Sequence, residues 1–125
     1  MTSILVVDDD VNLLNGLRRV LRDQPYDLFV ANSAEMAISM LQRHHFELVV
    51  SDQQMSGKTG NELIAWIAEN SPETVRIMLT GRPDVEVMTD AINRGRVFKF
   101  LTKPCHAFEL AMVIREGLQL AATPR

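Results

Sequence analysis

Three consecutive acids, Asp8, Asp9 and Asp10, follow the apolar run Ile4-Leu5-Val6-Val7, and Asp52 ends a second run that starts at Phe46. A third run, Val75-Arg76-Ile77-Met78-Leu79, stops on Thr80, and a fourth, residues 97–101, stops just short of Lys103-Pro104. Short apolar runs rich in Val, Leu and Ile suit strands buried on both faces of a parallel sheet. Such sheets place their ligand sites beyond the carboxyl ends of the strands. Carboxylates gathered there repel one another once they are partly desolvated, and a divalent cation resolves the conflict. Magnesium takes hard oxygen ligands and keeps several waters, so it needs only one or two carboxylates plus a phosphoryl oxygen. Asp8, Asp9 and Asp52 suit that task. Asp10 is better read as a helix N-cap, with its acidic neighbours favouring the helix dipole.

The elements that would position these groups follow from periodicity. With Asp10 as cap, a first helix runs to about residue 23 with Leu13, Leu17, Val20 and Leu21 on its inner face. Gln24-Pro25 breaks it, and residues 26–31 read as a second strand. Ser33 caps a second helix with Ala34, Ile38 and Leu41 at helical spacing, ending near His44-His45, whose rings suit a helix end. Residues 46–51 are the third strand, and 61–70 a third helix burying Leu63, Ile64 and Ile67. After the fourth strand, Pro83 takes a first helical position of a fourth helix with Val87, Met88, Ala91 and Ile92 inward, and Gly95 follows as C′ residue. A fifth strand precedes a helix over residues 106–120 with Leu110, Val113, Ile114 and Leu118 inward. Strands alternating with helices at this spacing predict a parallel sheet with right-handed crossovers, covered on both faces.

Composition sets the class. A chain of 125 residues, 46% hydrophobic and 23% charged, is ordinary for one globular domain. The net charge of -3 and the lack of a basic run argue against a nucleic-acid surface. No apolar stretch approaches the roughly 18 residues of a membrane span. The lone Cys105 rules out an internal disulfide, fits the cytoplasm, and reads as a small apolar residue.

The ordered set V-V-D-D-D, S-D-Q-Q-M-S-G-K-T-G, M-L-T-G and F-L-T-K-P resembles the receiver domain of two-component response regulators, over essentially the whole chain. The resemblance implies a single doubly wound (βα)5 flavodoxin-like α/β domain, sheet order 2-1-3-4-5, over residues 1–120, with 121–125 a tail or the start of a linker. It implies a phosphoryl group passing from a sensor histidine kinase or histidine phosphotransfer protein to Asp52, with no catalysis beyond the domain's own phosphorylation and dephosphorylation. Asp8, Asp9, Asp52 and the backbone carbonyl of Gln54 would hold Mg2+, with Mn2+ as a substitute. Lys103 would pair with the phosphoryl oxygens, Thr80 would hydrogen-bond to them in the active state, and the Lys103-Pro104 bond would be cis. Phe100 stands at the aromatic switch position, on a face made by helix four, strand five and helix five. A carboxylate can act as a covalent nucleophile toward phosphorus, and such transfer needs mostly positioning and charge neutralisation. The plainer readings are a surface lysine at Lys103, a turn hydroxyl at Thr80 and a core ring at Phe100.

Ser56 stands where relatives usually have proline, which predicts a less pre-organised loop after Asp52. Gln54 and Arg82 occupy positions that in receivers tune access of water to the phosphoryl group, and their bulk predicts slow decay; Arg82 also fits a solvated loop. The segment from Gly95 to Lys103 is one residue longer than the commoner pattern and resembles a subgroup often joined to output domains. A fused or separate output domain and a homodimer are candidate partners, with no direct nucleic-acid or membrane binding expected. Val11, Leu14 and Arg18 form a face of helix one suited to the phosphodonor, and Phe108 and Met112 a face of helix five suited to a dimer or output contact; Trp66 has no assignment. The rival reading is a small haloacid-dehalogenase-like phosphatase using Asp8 as nucleophile. Against it, Asn12 stands where that plan expects Thr or Val, and no acidic pair follows Lys103.

Overall fold

The computed structural model describes residues 2–82 and 84–122. The expectation for Pro83 and residues 123–125 of the expected tail lie outside them. Strands and helices alternate: β1 (Ser3–Val7), α1 (Val11–Val20), β2 (Asp27–Ala31), α2 (Ala34–Arg43), β3 (Leu48–Asp52), α3 (Gly60–Asn70), β4 (Val75–Thr80), α4 (Val85–Asn93), β5 (Lys99–Thr102) and α5 (Ala107–Ala122). The sheet is parallel throughout, in the order β2-β1-β3-β4-β5, as expected. The reversal of direction after β1 sets the ends of β1 and β3 side by side, which makes the crevice where ligands bind in open sheets. β5, four residues long, is one edge of the sheet.

Alternation along each strand builds two apolar layers. Ile4 and Val6 point to one face, where α1 and α5 supply Leu14, Leu17, Leu110, Val113 and Ile114. Leu5 and Val7 point to the other, where α2 and α3 supply Ala34, Ala37, Leu63 and Ile67. A smaller cluster joins Ile64 of α3, Met78 of β4 and Ala91 of α4, with Phe100 packed against it. With both faces covered, the central strands are buried along their whole length and mostly apolar, which is why they read as near-continuous runs; the buried Arg76 of β4 is accommodated by bonds to the carbonyls of Gly95 and Thr74.

Several helix faces differ from those expected. In α1 the buried stripe is Leu14, Leu17 and, just past the helix, Leu21, while Val20 is 58% exposed and Leu13 sits at the edge. The helix stops at Val20, short of residue 23, and the Leu21 N–H still bonds Leu17 O, so Leu21 turns back to the core while Val20 falls outside the stripe. Leu14, at 3% exposure, therefore cannot belong to an outward face with Val11 and Arg18. Ile92, expected inward, is 54% exposed because α4 buries only Ala91 fully. Tyr26, Phe46 and Val97 precede their strands, although Tyr26 and Phe46 are buried. Gly95 follows the α4 C-cap Arg94 as its C′ residue, as expected, while the left-handed backbone lies one residue further on, at Arg96 (φ 46°). Helix α5 continues past residue 120 to Ala122.

Candidate functional site

Each expected acid lies where a strand hands over to a loop. Asp8 follows β1, is almost fully buried, and its Oδ1 accepts the Asp10 N–H at 2.9 Å. Asp10 itself caps α1, its Oδ1 accepting from Asn12 N and Leu13 N at 3.1 Å each, so it serves the helix rather than the crevice. This removes the second acid that the phosphatase reading requires. Asp9 is exposed, and its Oδ2 accepts the Ser56 N–H at 3.4 Å. Asp52 closes β3 and is buried. One carboxylate oxygen from each of Asp8, Asp9 and Asp52 lies within 4.8 Å of the others.

Lys103 enters from the far side. Its N–H bonds Thr80 O at 2.9 Å, and the Lys103-Pro104 peptide is cis. The Nζ donates to Asp8 Oδ2 at 2.9 Å and lies 3.2 Å from Asp52 Oδ1. Burial, then the charge of Asp8, push the Asp52 carboxyl above its ordinary value against the pull of the Lys103 ammonium. Burial alone would lower the Lys103 ammonium, but its bonds to Asp8 and Asp52 and their charges outweigh that and hold it above its ordinary value. Two carboxylates thus meet one ammonium, and the Asp9 carboxylate adds a third negative charge beside them. A crevice of hard oxygen donors with excess negative charge fits a small divalent cation, which would neutralise what Lys103 leaves unbalanced.

Thr80 is fully buried, and its Oγ donates to Arg82 O (3.2 Å) and accepts from Arg82 N (3.1 Å), closing a turn at the start of the β4–α4 loop. No hydrogen bond joins it to Asp52 among the described residues. Phe100 is half-buried against the α3–β4–α4 cluster. Gln54 and Arg82 are exposed and line one open cavity of about 420 Å³ with Gln53, Met55, Thr59, Asp84 and Val87.

Other residues that shape the site are not evident from strand ends. The loop after Asp52 is held from outside: the Glu35 carboxylate of α2 accepts the Lys58 N–H at 3.4 Å, and Gly57 adopts φ 81° beside it. Gln53 is pinned at three points, donating to Leu79 O and accepting from Gly60 N on its carbonyl and from Asn61 N on Oε1 at 2.8 Å. A Cβ at Gly60 would strike the Asp52 carbonyl oxygen, so glycine lets α3 start directly on the Asp52 peptide. The sequence signal for this start is the capping box Thr59-x-x-Glu62, which places the first helical residue at Gly60. Elsewhere, Phe108 (78% exposed) and Met112 border an apolar groove of about 650 Å³ with Tyr26 and Leu118. His44 ends α2 with its ring against Phe29 and Phe46, and Trp66 packs on the second apolar layer. No described helix is long and apolar enough to cross a membrane.

Comparison with known proteins agrees with this geometry. Residues 4–115 match the family model described as the response regulator receiver domain. The chain is 31% identical over 117 residues to the hydrogenase transcriptional regulatory protein HoxA of Cupriavidus necator, covering 94% of this chain and 24% of that protein. It thus spans about a quarter of the length of that curated relative. The solved signal receiver domain of an HD domain-containing protein from Pseudomonas fluorescens Pf-5 superposes with a TM-score of 0.91 at 34% identity, covering 96% of this chain and 88% of that one. The beryllofluoride-activated NtrC4 receiver domain dimer superposes with a TM-score of 0.88 at 29% identity, covering 98% and 100%. With the family model matched over nearly the whole chain and a relative 31% identical across 94% of it, the chain belongs to the response regulator receiver domain family.

Proposed function

We propose that this domain is a phosphorylation-dependent switch in which Asp52 accepts a phosphoryl group from a sensor histidine kinase or a histidine phosphotransfer protein. The observation that carries this reading is the meeting of Asp8, Asp9 and Asp52 oxygens within 4.8 Å with the Lys103 ammonium against Asp8 and Asp52. Asp8, Asp9, Asp52 and the Gln54 carbonyl would hold Mg2+, or Mn2+ in its stead, and the cation when bound would supply charge neutralisation at the phosphoryl oxygens.

The chain's own residues do the rest. An Asp52 carboxylate oxygen forms the bond to phosphorus as the bond to the donor's imidazole nitrogen breaks, its electron pair leaving with the nitrogen. Lys103 keeps its ammonium on the incoming oxygens, and the buried position of Asp52 limits the water that reaches the product. The phosphorylated side chain gains charge and acceptor oxygens that draw the Thr80 hydroxyl away from Arg82. Phe100 then turns into the space released and changes the face made by α4, β5 and α5. Gln54 and Arg82, which line one cavity with Gln53, the chain neighbour of the acceptor, screen attacking water and slow decay of the acyl phosphate.

The output is a fused or separate domain that reads this face, and Phe108 and Met112 offer an apolar contact for it or for a second copy. The domain acts in the cytoplasm, turns over no external substrate and touches neither nucleic acid nor membrane directly. The working unit runs to the end of α5 at Ala122, two residues past the expected boundary at 120. Incubation with Mg2+ and acetyl phosphate or phosphoramidate, followed by peptide mapping, tests the assignment. Stoichiometric label at residue 52, lost in Asp52→Asn, is the expected result; label on Asp8 with turnover of external phosphoesters would overturn it in favour of a phosphatase.

A further inference from the structure

Resting on the phosphoacceptor reading, we propose that Asn61 is a positioning residue that holds α4 in its resting place, so that activation must break one hydrogen bond between α3 and α4. Asn61 is 9% exposed, and its side-chain Nδ2 donates to Val87 O in the first turn of α4 at 3.2 Å. Its backbone N–H is held by the Oε1 of Gln53, the neighbour of Asp52, at 2.8 Å. Gln53 in turn donates to Leu79 O at 3.3 Å and accepts from Gly60 N at 3.0 Å. An unbroken chain of contacts therefore runs from the peptide of the acceptor, through the start of α3, to the start of α4.

Two features make this tie count. Helix α3 buries Leu63, Ile64 and Ile67 among others, whereas Ala91 is the one fully buried residue described in α4. With so little apolar anchorage, a single hydrogen bond is a large share of what locates α4. The β4–α4 connection is tied to the rest of the fold near both ends, by Thr80 on Arg82 and by Asn61 on Val87, so release of Thr80 leaves the Asn61 bond to act with the small apolar contact of Val87 and Ala91. The amide is also only half satisfied: Oδ1 is buried with no partner among the described residues. Rotating the amide would set that oxygen against the Val87 carbonyl, so the orientation is forced. A neutral hydrogen bond is worth a factor of roughly 2 to 10 in a two-state equilibrium, enough to hold α4 and weak enough to yield.

The test compares the wild type with Asn61→Leu, which fills similar space without the amide, and Asn61→Ala, which leaves it open. Amide shifts of α4 and β5 are followed by NMR with increasing beryllofluoride in Mg2+, and melting by circular dichroism identifies folded variants. The expected result is that α4 amides of the folded variants lie, without ligand, part of the way to the positions the wild type reaches at saturation. The beryllofluoride midpoint falls about 2- to 10-fold. Resting α4 shifts and a midpoint matching the wild type would overturn the tie while leaving the phosphoacceptor reading intact. A wild type whose amides do not respond to beryllofluoride would overturn both.

Discussion

Replacing Lys103 by methionine isolates the electrostatics of the crevice. The substitution keeps most of the aliphatic stem and removes the one ammonium that touches both Asp8 and Asp52. Both carboxylates are nearly buried, so the variant leaves two like charges facing each other with no cation. Removing one partner of a fully buried pair costs about 3–5 kcal/mol. Because the Lys103 side chain retains 30% exposure, solvent screening reduces that to about 1–3 kcal/mol. For a chain of this length, this lowers the melting temperature by roughly 4–12 °C at pH 7. The pH dependence has a definite sign. Asp52 already titrates above its ordinary value, and the causes that lower it include both Lys103 interactions, so the variant's Asp52 moves higher still. A carboxyl raised on folding loses stability as pH climbs from its unfolded value through its folded one. The gap between wild type and variant should therefore be small near pH 4 and widen toward neutrality. It should narrow again when Mg2+ is added, since a bound cation replaces the missing charge. Thermal denaturation by circular dichroism from pH 4 to 8, with and without MgCl2, measures all three. A gap of constant size across pH, unaffected by Mg2+, would refute the electrostatic account and leave lost packing as the cause.

In α1, Leu14→Ala should cost about 2–5 kcal/mol in urea denaturation, whereas Val11→Ala should change stability by less than about 0.5 kcal/mol; equal effects would contradict the observed stripe. The double variant Gln54→Ala, Arg82→Ala should shorten the life of the acyl phosphate by up to about tenfold, near 1.4 kcal/mol of barrier, and an unchanged decay rate would remove the screening role. Cys105 is pushed up to about 11 by burial and then by Glu109, so roughly one thiol in a thousand is ionised at pH 8. Its alkylation by iodoacetamide should still climb about tenfold per pH unit at pH 9–10; a plateau near pH 8.5 would show an unperturbed thiol.

What could be read from the sequence divides along a physical line. The strand ends were legible because a strand buried on both faces is mostly apolar until it nears the edge of the sheet, so Asp8, Asp52, Thr80 and Lys103 stand at or just past the last strand residue. Asp10 was legible because capping is a local bond between residues two and three apart. Helix faces were less so. Leu13 and Leu14 are both apolar neighbours, and only the meeting with α5 and the sheet decides which one sets the stripe. Ile92 is apolar and yet exposed because α4 lies at the margin of the core. The bonds from Gln53 to Asn61 and from Asn61 to Val87 link residues whose approach depends on the path of two loops, which no spacing rule encodes.

The placement of β5 at the rim divides the crevice into a fixed and a yielding half. The acids Asp8 and Asp52 adjoin β1 and β3, which are bonded to neighbours along both flanks, so shifting either would tear two ladders. Phe100 lies on the short outer strand, and Lys103 directly follows it, so only the β4 ladder is at stake when they move. The anvil stays still, and the part free to recoil is the one that faces outward.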